Sequence, residues 1–146
     1  VSSVDNNTNL SYQIYTYEHP VYDSIDDNGA VTAGFDSKNN LIRVKRKSVD
    51  DEKGKSYTSY YYYKNGTLVY FTSETYHVTK KSMLKYLQGD QYSGSRMYFK
   101  EGVLIEILLF NNNKWKKENA SNLQISGTAL EEIRLSEYFN KILKSS

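Results

Sequence analysis

Asn65-Gly66 is the dipeptide that most narrows what this chain can fold into. A two-residue type I′ turn needs positive φ at both central positions, a demand that Asn-Gly meets at little steric cost. Its flanks, Ser56 to Lys64 and Thr67 to Tyr76, are dense in tyrosine, threonine, valine and phenylalanine, the side chains that suit a pleated surface. The stretch reads as a β-hairpin, and the rest of the chain has to build around it.

Two further stretches have the same layout. Ala30 to Asp36 and Leu41 to Lys47 read as strands around Ser37-Lys38-Asn39-Asn40, and Ser95 to Lys100 and Val103 to Phe110 read as strands around Glu101-Gly102. Aligned on their turns, the copies are Gly34-Phe35-Asp36 before Leu41-Ile42, Tyr62-Tyr63-Lys64 before Leu68-Val69, and Tyr98-Phe99-Lys100 before Leu104-Ile105. Each has an aromatic residue, a short polar turn, then Leu and a β-branched residue. The copies are unevenly spaced, so the pattern predicts a meander of hairpins in one antiparallel sheet and not a strict solenoid.

Around these hairpins the remaining segments are read as follows. Residues 1–9 are polar and are expected to be a flexible N-terminus, because they have too little to bury to offset the entropy of ordering. Leu10 to Ile25 begins in apolar alternation and contains Pro20, so it reads as an extended segment and not as a helix. Ser48 to Lys55 and Asn111 to Asn122 read as solvated loops, Trp115 being the one large apolar side chain of the second. Thr79 to Gly89 has an N-cap Thr, apolar residues at Met83, Leu84, Tyr86 and Leu87, and a terminal Gly, which together predict a short helix. Thr128 with Glu131 forms a capping box for a C-terminal helix over 129–144, with Leu135, Tyr138, Phe139 and Ile142 as its apolar stripe. The expectation is one α+β domain over 10–146: an antiparallel β-meander built of three related hairpins, with the C-terminal helix packed on one face and a short helix near 79–89.

Uninterrupted strand alternation sorts the side chains of this meander into two faces. Ile42, Val44, Tyr60, Tyr62, Val69, Phe71, Tyr98, Ile105 and Ile107 fall on one, the natural seat of the helix. The other gathers Phe35, Leu41, Tyr61, Tyr63, Leu68, Tyr70, Phe99 and Leu104 near the turns, with Arg43, Lys45 and Glu106 further away. From that second face Tyr61, Tyr63, Tyr70 and Phe99 emerge as the candidate binding residues, since tyrosine offers a broad, rigid and amphipathic contact at low entropic cost.

Composition narrows the chemistry. The 146 residues include 15 Tyr and 5 Phe, so tyrosine must carry part of the core. Nineteen basic and 17 acidic residues leave a net charge of +2, too weak a field to gather nucleic acid. The densest basic run, Arg43 to Lys47, is divided by alternation between the two faces and is followed by acidic residues. Without cysteine there is no thiolate ligand, nucleophile or disulfide, and two histidines, His19 and His77, do not make a multi-histidine metal site. Asp26-Asp27 and Asp50-Asp51-Glu52 lack the alternating oxygen ligands of a calcium loop, and Glu131-Glu132 suits the first turn of a helix. Asn6, Asn9, Asn65 and Asn119 begin Asn-x-Ser/Thr sequons, which matter only in a eukaryotic secretory pathway. With no phosphate loop or nucleophile motif either, no catalytic residue, cofactor or metal is expected. No apolar run reaches the ~18 residues of a membrane span.

Tyr63-Lys64-Asn65-Gly66-Thr67-Leu68 and Phe99-Lys100-Glu101-Gly102-Val103-Leu104 resemble MORN-variant repeats, and the Tyr-Tyr-Tyr, Asn-Gly, Leu-Val hairpin is similar to small exported bacterial domains of unassigned function. The first copy departs from the pattern, since Asp36 to Asn40 has no Gly. The resemblance implies a sheet scaffold that binds or braces, and it carries no catalytic residue with it. The resulting expectation is a non-enzymatic exported, periplasmic or cell-surface domain that binds a protein or a glycan; the polar start at Val1 suits a chain whose export signal was removed upstream, and the expectation is compatible with a lipid anchor there. The alternative is a cytoplasmic interaction protein of the antitoxin or immunity kind.

Overall fold

A computed structural model of the chain describes residues 10–16, 30–50, 54–82, 85–119 and 123–143. Eight strands form one sheet in the order of the chain: β1 (Ser11–Thr16), β2 (Ala30–Phe35), β3 (Leu41–Asp50), β4 (Lys55–Lys64), β5 (Thr67–Ser82), β6 (Lys85–Lys100), β7 (Val103–Asn111) and β8 (Lys114–Glu118). Every neighbouring pair is antiparallel, so the sheet is a pure meander, and among the described residues one helix, α1 (Leu123–Ile142), packs on one of its faces.

The turns show why these residues reverse the chain. Asn65 and Gly66, at φ 52° and 77°, join β4 to β5, and Glu101 and Gly102, at 52° and 80°, join β6 to β7. A fourth turn, Asn112-Asn113 at 53° and 62°, links β7 to β8, because asparagine tolerates the left-handed region nearly as well as glycine does. Asp36 closes the β2–β3 loop by accepting the backbone N–H groups of Lys38 and Asn40, each at 2.9 Å. Those bonds hold its carboxyl below the usual carboxylate value.

Each of three hairpins also carries a register shift beside its turn. Phe35 pairs with Leu41 while Gly34 pairs with Arg43; Tyr63 pairs with Leu68 while Tyr62 pairs with Tyr70; Phe99 pairs with Leu104 while Tyr98 pairs with Glu106. One residue of the returning strand is extra in each case: Ile42, Val69 and Ile105. Such a bulge reverses the alternation beyond it. It brings Leu41 with Val44, Leu68 with Phe71 and Leu104 with Ile107 onto the same face, at a spacing of three that an unbroken strand forbids.

This overturns the expected division of faces. The core under the helix holds Phe35, Leu41, Val44, Tyr61, Tyr63, Leu68, Phe71, Met97, Phe99 and Ile107, together with Leu135 and Phe139 of α1 and Leu143 just past its end. Tyr60, Tyr62 and Tyr98, expected beneath the helix, lie on the opposite face. At ~1.5–3 kcal/mol for each large apolar side chain fully buried, Leu135, Phe139 and Leu143 contribute roughly 5–9 kcal/mol to docking before entropy is counted. Ile142, expected in the apolar stripe, points outward at 39% exposure, and Leu143 takes its place in the core.

Three other expectations are corrected. Residues 79–89 form no helix where they are described: β5 runs to Ser82 and β6 starts at Lys85, with Thr79 paired to Leu87 and Lys80 to Tyr86. A helix of about ten residues is marginal alone, whereas two strands extending an existing hairpin satisfy their backbones pair by pair. Asn111 to Asn122 is not a plain loop, since it contains β8. Helix α1 begins at Leu123, so Thr128 lies inside it and Glu131-Glu132 falls beyond the first turn, which holds no acidic residue. Gly127, the one glycine in α1, costs only ~1 kcal/mol relative to alanine in a helix interior, too little to stop it. Residues 1–9, 17–29, 51–53 and 83–84 lie outside the described residues, and with them the expected flexible start, His19, the Asp26-Asp27 turn and most of the Asp50 to Glu52 loop.

Candidate functional site

The four candidate residues divide between the two faces. Tyr61 is 0% exposed, its ring 5.0 Å from Phe71 and 5.4 Å from Phe139. Its hydroxyl donates to the Glu132 carboxylate and accepts from the Arg46 guanidinium at 3.3 Å. Tyr63 donates to the Ser136 carbonyl at 2.8 Å. Both tyrosines fasten the helix to the sheet, and burial pushes both hydroxyls far above their ordinary pKa. Phe99 is in the same core. Tyr70 alone of the four belongs to the opposite face, which is free of helix among the described residues and is the candidate surface.

That face is ordered in rows by the strand register. In the first row Tyr12, Gly34, Arg43, Tyr62, Tyr70, Tyr98 and Glu106 follow one another from β1 to β7. Two residues along, the second row holds Ile14, Thr32, Lys45, Tyr60, Thr72, Arg96, Leu108 and Lys117. A third includes Thr58, Glu74, Gly94, Phe110 and Trp115. Tyrosine rings touch along and across the strands: Tyr60 and Tyr62 at 6.3 Å between centroids, Tyr62 and Tyr70 at 5.4 Å, Tyr70 and Tyr98 at 4.9 Å. The middle of the strip, Tyr62 and Tyr70, is buried; Tyr60, Tyr98, Arg43, Lys45 and Arg96 are partly exposed.

Glycine shapes both ends of the strip. A methyl group on Gly34 would sit 2.9 Å from the Tyr12 ring, so the absent side chain lets that ring lie across β2, 5.2 Å from the Arg43 guanidinium. A methyl group on Gly94 would meet the Trp115 indole at 3.2 Å and the Ser73 carbonyl at 2.9 Å. Trp115 leans over β6 there, its ring 3.8 Å from the Arg96 guanidinium and 5.2 Å from Phe110. Arg43 and Lys45 also stand over Tyr60, at 5.5 and 5.7 Å. Cations held above aromatic faces are thus the recurring motif of this surface.

Charge on the face is mostly positive. Arg43, Lys45, Arg96 and Lys117 oppose Glu74 and Glu106; Lys117 pairs with Glu106 at 3.4 Å, and Tyr76 donates to Glu74 at 2.6 Å. Desolvation and that bond push the Tyr76 hydroxyl up to about 12. Burial, reinforced by Tyr98, raises Tyr70 as well. At the β6–β8 end an open groove of about 1170 Å³ is lined by Tyr92, Leu109, Asn111, Lys114, Lys116 and Glu118 among others; the register puts Leu109, Asn111, Lys114, Lys116 and Glu118 on the helix-bearing face, opposite Arg96 and Lys117.

Sequence reasoning did not single out Arg96, and it left Trp115 in a loop. The clue to both was Asn112-Asn113 lying between Phe110 and Trp115, a turn pair flanked by aromatics. His77 stands edge-on to Tyr92, 5.2 Å away, and Lys55 lies 3.6 Å above the same ring. Among the described residues no three of His, Cys, Asp and Glu are grouped to hold a metal ion, and no helix is long and apolar enough to cross a membrane. Comparison of the chain with protein-family models, with curated proteins and with solved structures returns no match.

Proposed function

We propose that this chain is a non-enzymatic binding or scaffold domain that presents the helix-free face of its sheet to a protein or glycan partner. The observation that carries this reading is the tyrosine strip across β4, β5 and β6 with Arg43, Lys45 and Arg96 beside it. Planar rings interleaved with guanidinium and ammonium groups give stacking, hydrogen bonding and charge within one rigid surface. The helix side is committed to the core, so it leaves that role to the opposite face.

The three hairpins act in this reading as copies of one unit, as the MORN-variant resemblance implies. The matching register shifts beside the Phe35, Tyr63 and Phe99 turns support it. Each copy directs its aromatic–Leu pair to the helix and frees the residues between for the other face. The reading also puts the domain outside the cytoplasm, exported, periplasmic or at the cell surface. A cleavable signal in the encoded precursor supports that compartment, and recovery of the native protein solely from the cytoplasm overturns it.

The test compares partner binding, on panels of glycans and candidate proteins, by the wild-type chain, a face variant carrying Tyr12→Ser and Tyr60→Ser, and a helix-side variant, Ile142→Ser. Loss of binding in the face variant alone, with all three melting alike, supports the reading. Loss in the helix-side variant alone refutes it.

A further inference from the structure

Towards each edge of the helix-free face an arginine is capped in the same way. On one side Tyr12, Gly34 and Arg43 stand in register on β1, β2 and β3, and the missing Gly34 side chain lets the Tyr12 ring cross β2 to lie 5.2 Å from the Arg43 guanidinium. Tyr60 of β4 approaches the same guanidinium at 5.5 Å. On the other side Trp115, Phe110 and Gly94 stand in register on β8, β7 and β6, and the missing Gly94 side chain lets the indole reach Arg96, two residues along β6, at 3.8 Å. In both places a ring from an edge strand passes over a glycine to hold a guanidinium against its face. A guanidinium held there presents a planar fork of N–H donors, the arrangement that receives a carboxylate through two parallel bonds.

β3 and β6 are three strands apart and the two arginines one row apart, so they stand about 16 Å from each other at ~4.8 Å between strands and ~3.4 Å per residue. Between them lie the partly exposed rings of Tyr60 and Tyr98. Arg43, Lys45, Arg96 and Lys117 outnumber Glu74 and Glu106, of which Glu106 pairs with Lys117 and Glu74 accepts from Tyr76. Arg96 has no hydrogen-bond acceptor and no ion-pair partner among the described residues.

We infer that the helix-free face binds an extended acidic segment of a partner protein, laid across the strands with one carboxylate on Arg43 and a second on Arg96. The inference rests on the binding-domain reading and selects a protein as the partner. In an extended segment the side chains at i, i+2 and i+4 share a face, and positions i and i+4 are ~14 Å apart. Two glutamates at that spacing reach both arginines, and an apolar residue midway meets Tyr60 and Tyr98. The recognised pattern is acidic, any, apolar, any, acidic. One stacked arginine needs only ordinary cation–π packing to account for it; two built on the same glycine device, with tyrosines between, fit a ligand that spans them. A polyphosphate asks for a continuous basic track, which a chain of net charge +2 does not supply.

The experiment is fluorescence anisotropy of the full chain with labelled synthetic peptides. One carries a Glu-Thr-Tyr-Thr-Glu core flanked by glycine and serine; a second has both glutamates replaced by glutamine; a third sets the glutamates two positions apart, too close to reach both arginines. The first is expected to bind at least about tenfold more tightly than either of the others, a comparison that leaves the protein unchanged. Arg43→Gln and Arg96→Gln are each expected to remove about that factor, and Arg96→Lys, which keeps the charge and loses the fork, to restore part of it; circular dichroism melts establish that each variant folds. Equal affinity for the glutamate and glutamine peptides, equal affinity at both spacings, or full affinity in Arg96→Gln overturns the inference. If no peptide binds while a glycan does and is lost on Tyr12→Ser with Tyr60→Ser, the acidic-segment inference fails and the reading of the face stands. If nothing binds through this face, both fail.

Discussion

Replacing Tyr63 by Phe removes one hydroxyl from the seam between sheet and helix and changes nothing else in volume. That hydroxyl donates to the Ser136 carbonyl at 2.8 Å in a buried site. The carbonyl sits within α1, where the helical N–H four residues on is its other donor, so deletion forfeits the net value of one bond and not the full desolvation of an orphaned acceptor. The expected loss is about 1 kcal/mol. At Tyr61 the same substitution is more damaging, because its hydroxyl lies between the Glu132 carboxylate and the Arg46 guanidinium. Bonds to charged groups contribute roughly 1.5–3 kcal/mol, so Tyr61→Phe is expected to cost about 2 kcal/mol. Tyr12, 49% exposed, is the control, and its Phe variant should stay within about 0.5 kcal/mol of wild type. Urea unfolding monitored by circular dichroism gives the three midpoints at a common slope; in heat, each kcal/mol should appear as roughly 2–4 °C for a chain of this size. Equal midpoints for all three variants would refute the assignment of Tyr61 and Tyr63 as clamps of the helix. A loss at Tyr12 matching that at Tyr61 would refute the division of faces.

Two further outcomes follow from the same geometry. The Tyr61 and Tyr63 hydroxyls are raised in the folded chain while an unfolded tyrosine ionises near 10, so their contribution is complete below pH 10 and is lost as the pH rises above it. Tyr61→Phe should flatten that alkaline decline in midpoints measured between neutral and strongly alkaline pH. Glu101 holds a φ of 52° at the first position of its turn, where Asn65 and Asn112 stand in theirs. Glu101→Asn should therefore raise the unfolding free energy by roughly 0.5–1 kcal/mol, and an unchanged or lower midpoint would show that the backbone there is not strained.

The turns were readable in the sequence because their chemistry is local. Asn65-Gly66 favours positive φ with no help from the rest of the chain, Gly102 marks its turn in spite of Glu101 beside it, and the order of strands followed from hairpins being neighbours. Asn112-Asn113 obeys the same rule, but the lysines around Trp115 resemble a solvated loop, and in a strand they make an edge. The segment around 79–89 failed for the opposite reason. Its cap and terminal glycine satisfy helix rules, while the deciding energy is the ladder to the preceding strand, which no window of local sequence contains.

The candidate site was misplaced by a single kind of residue. An unbroken alternation puts Val69 with Phe71 and sets Leu68 against them; the extra residue at Val69 reverses this, and Ile42 and Ile105 do the same in their hairpins. Tyr61, Tyr63 and Phe99 thereby pass beneath the helix, and Tyr60, Tyr62 and Tyr98 come to the free face beside Arg43, Lys45 and Arg96. The run Tyr60 to Tyr63 had posed the question of which pair is core, and alternation alone cannot answer it, since it preserves the pairs and not their direction. What decides is the partner across the turn: Leu68 can join Phe71 in the core only if one residue between them is left out of register. A hairpin with an aromatic before its turn and Leu, then a β-branched residue, after it can follow that geometry, and in a chain so rich in tyrosine the position of the bulge determines which rings hold the fold and which remain available to a partner.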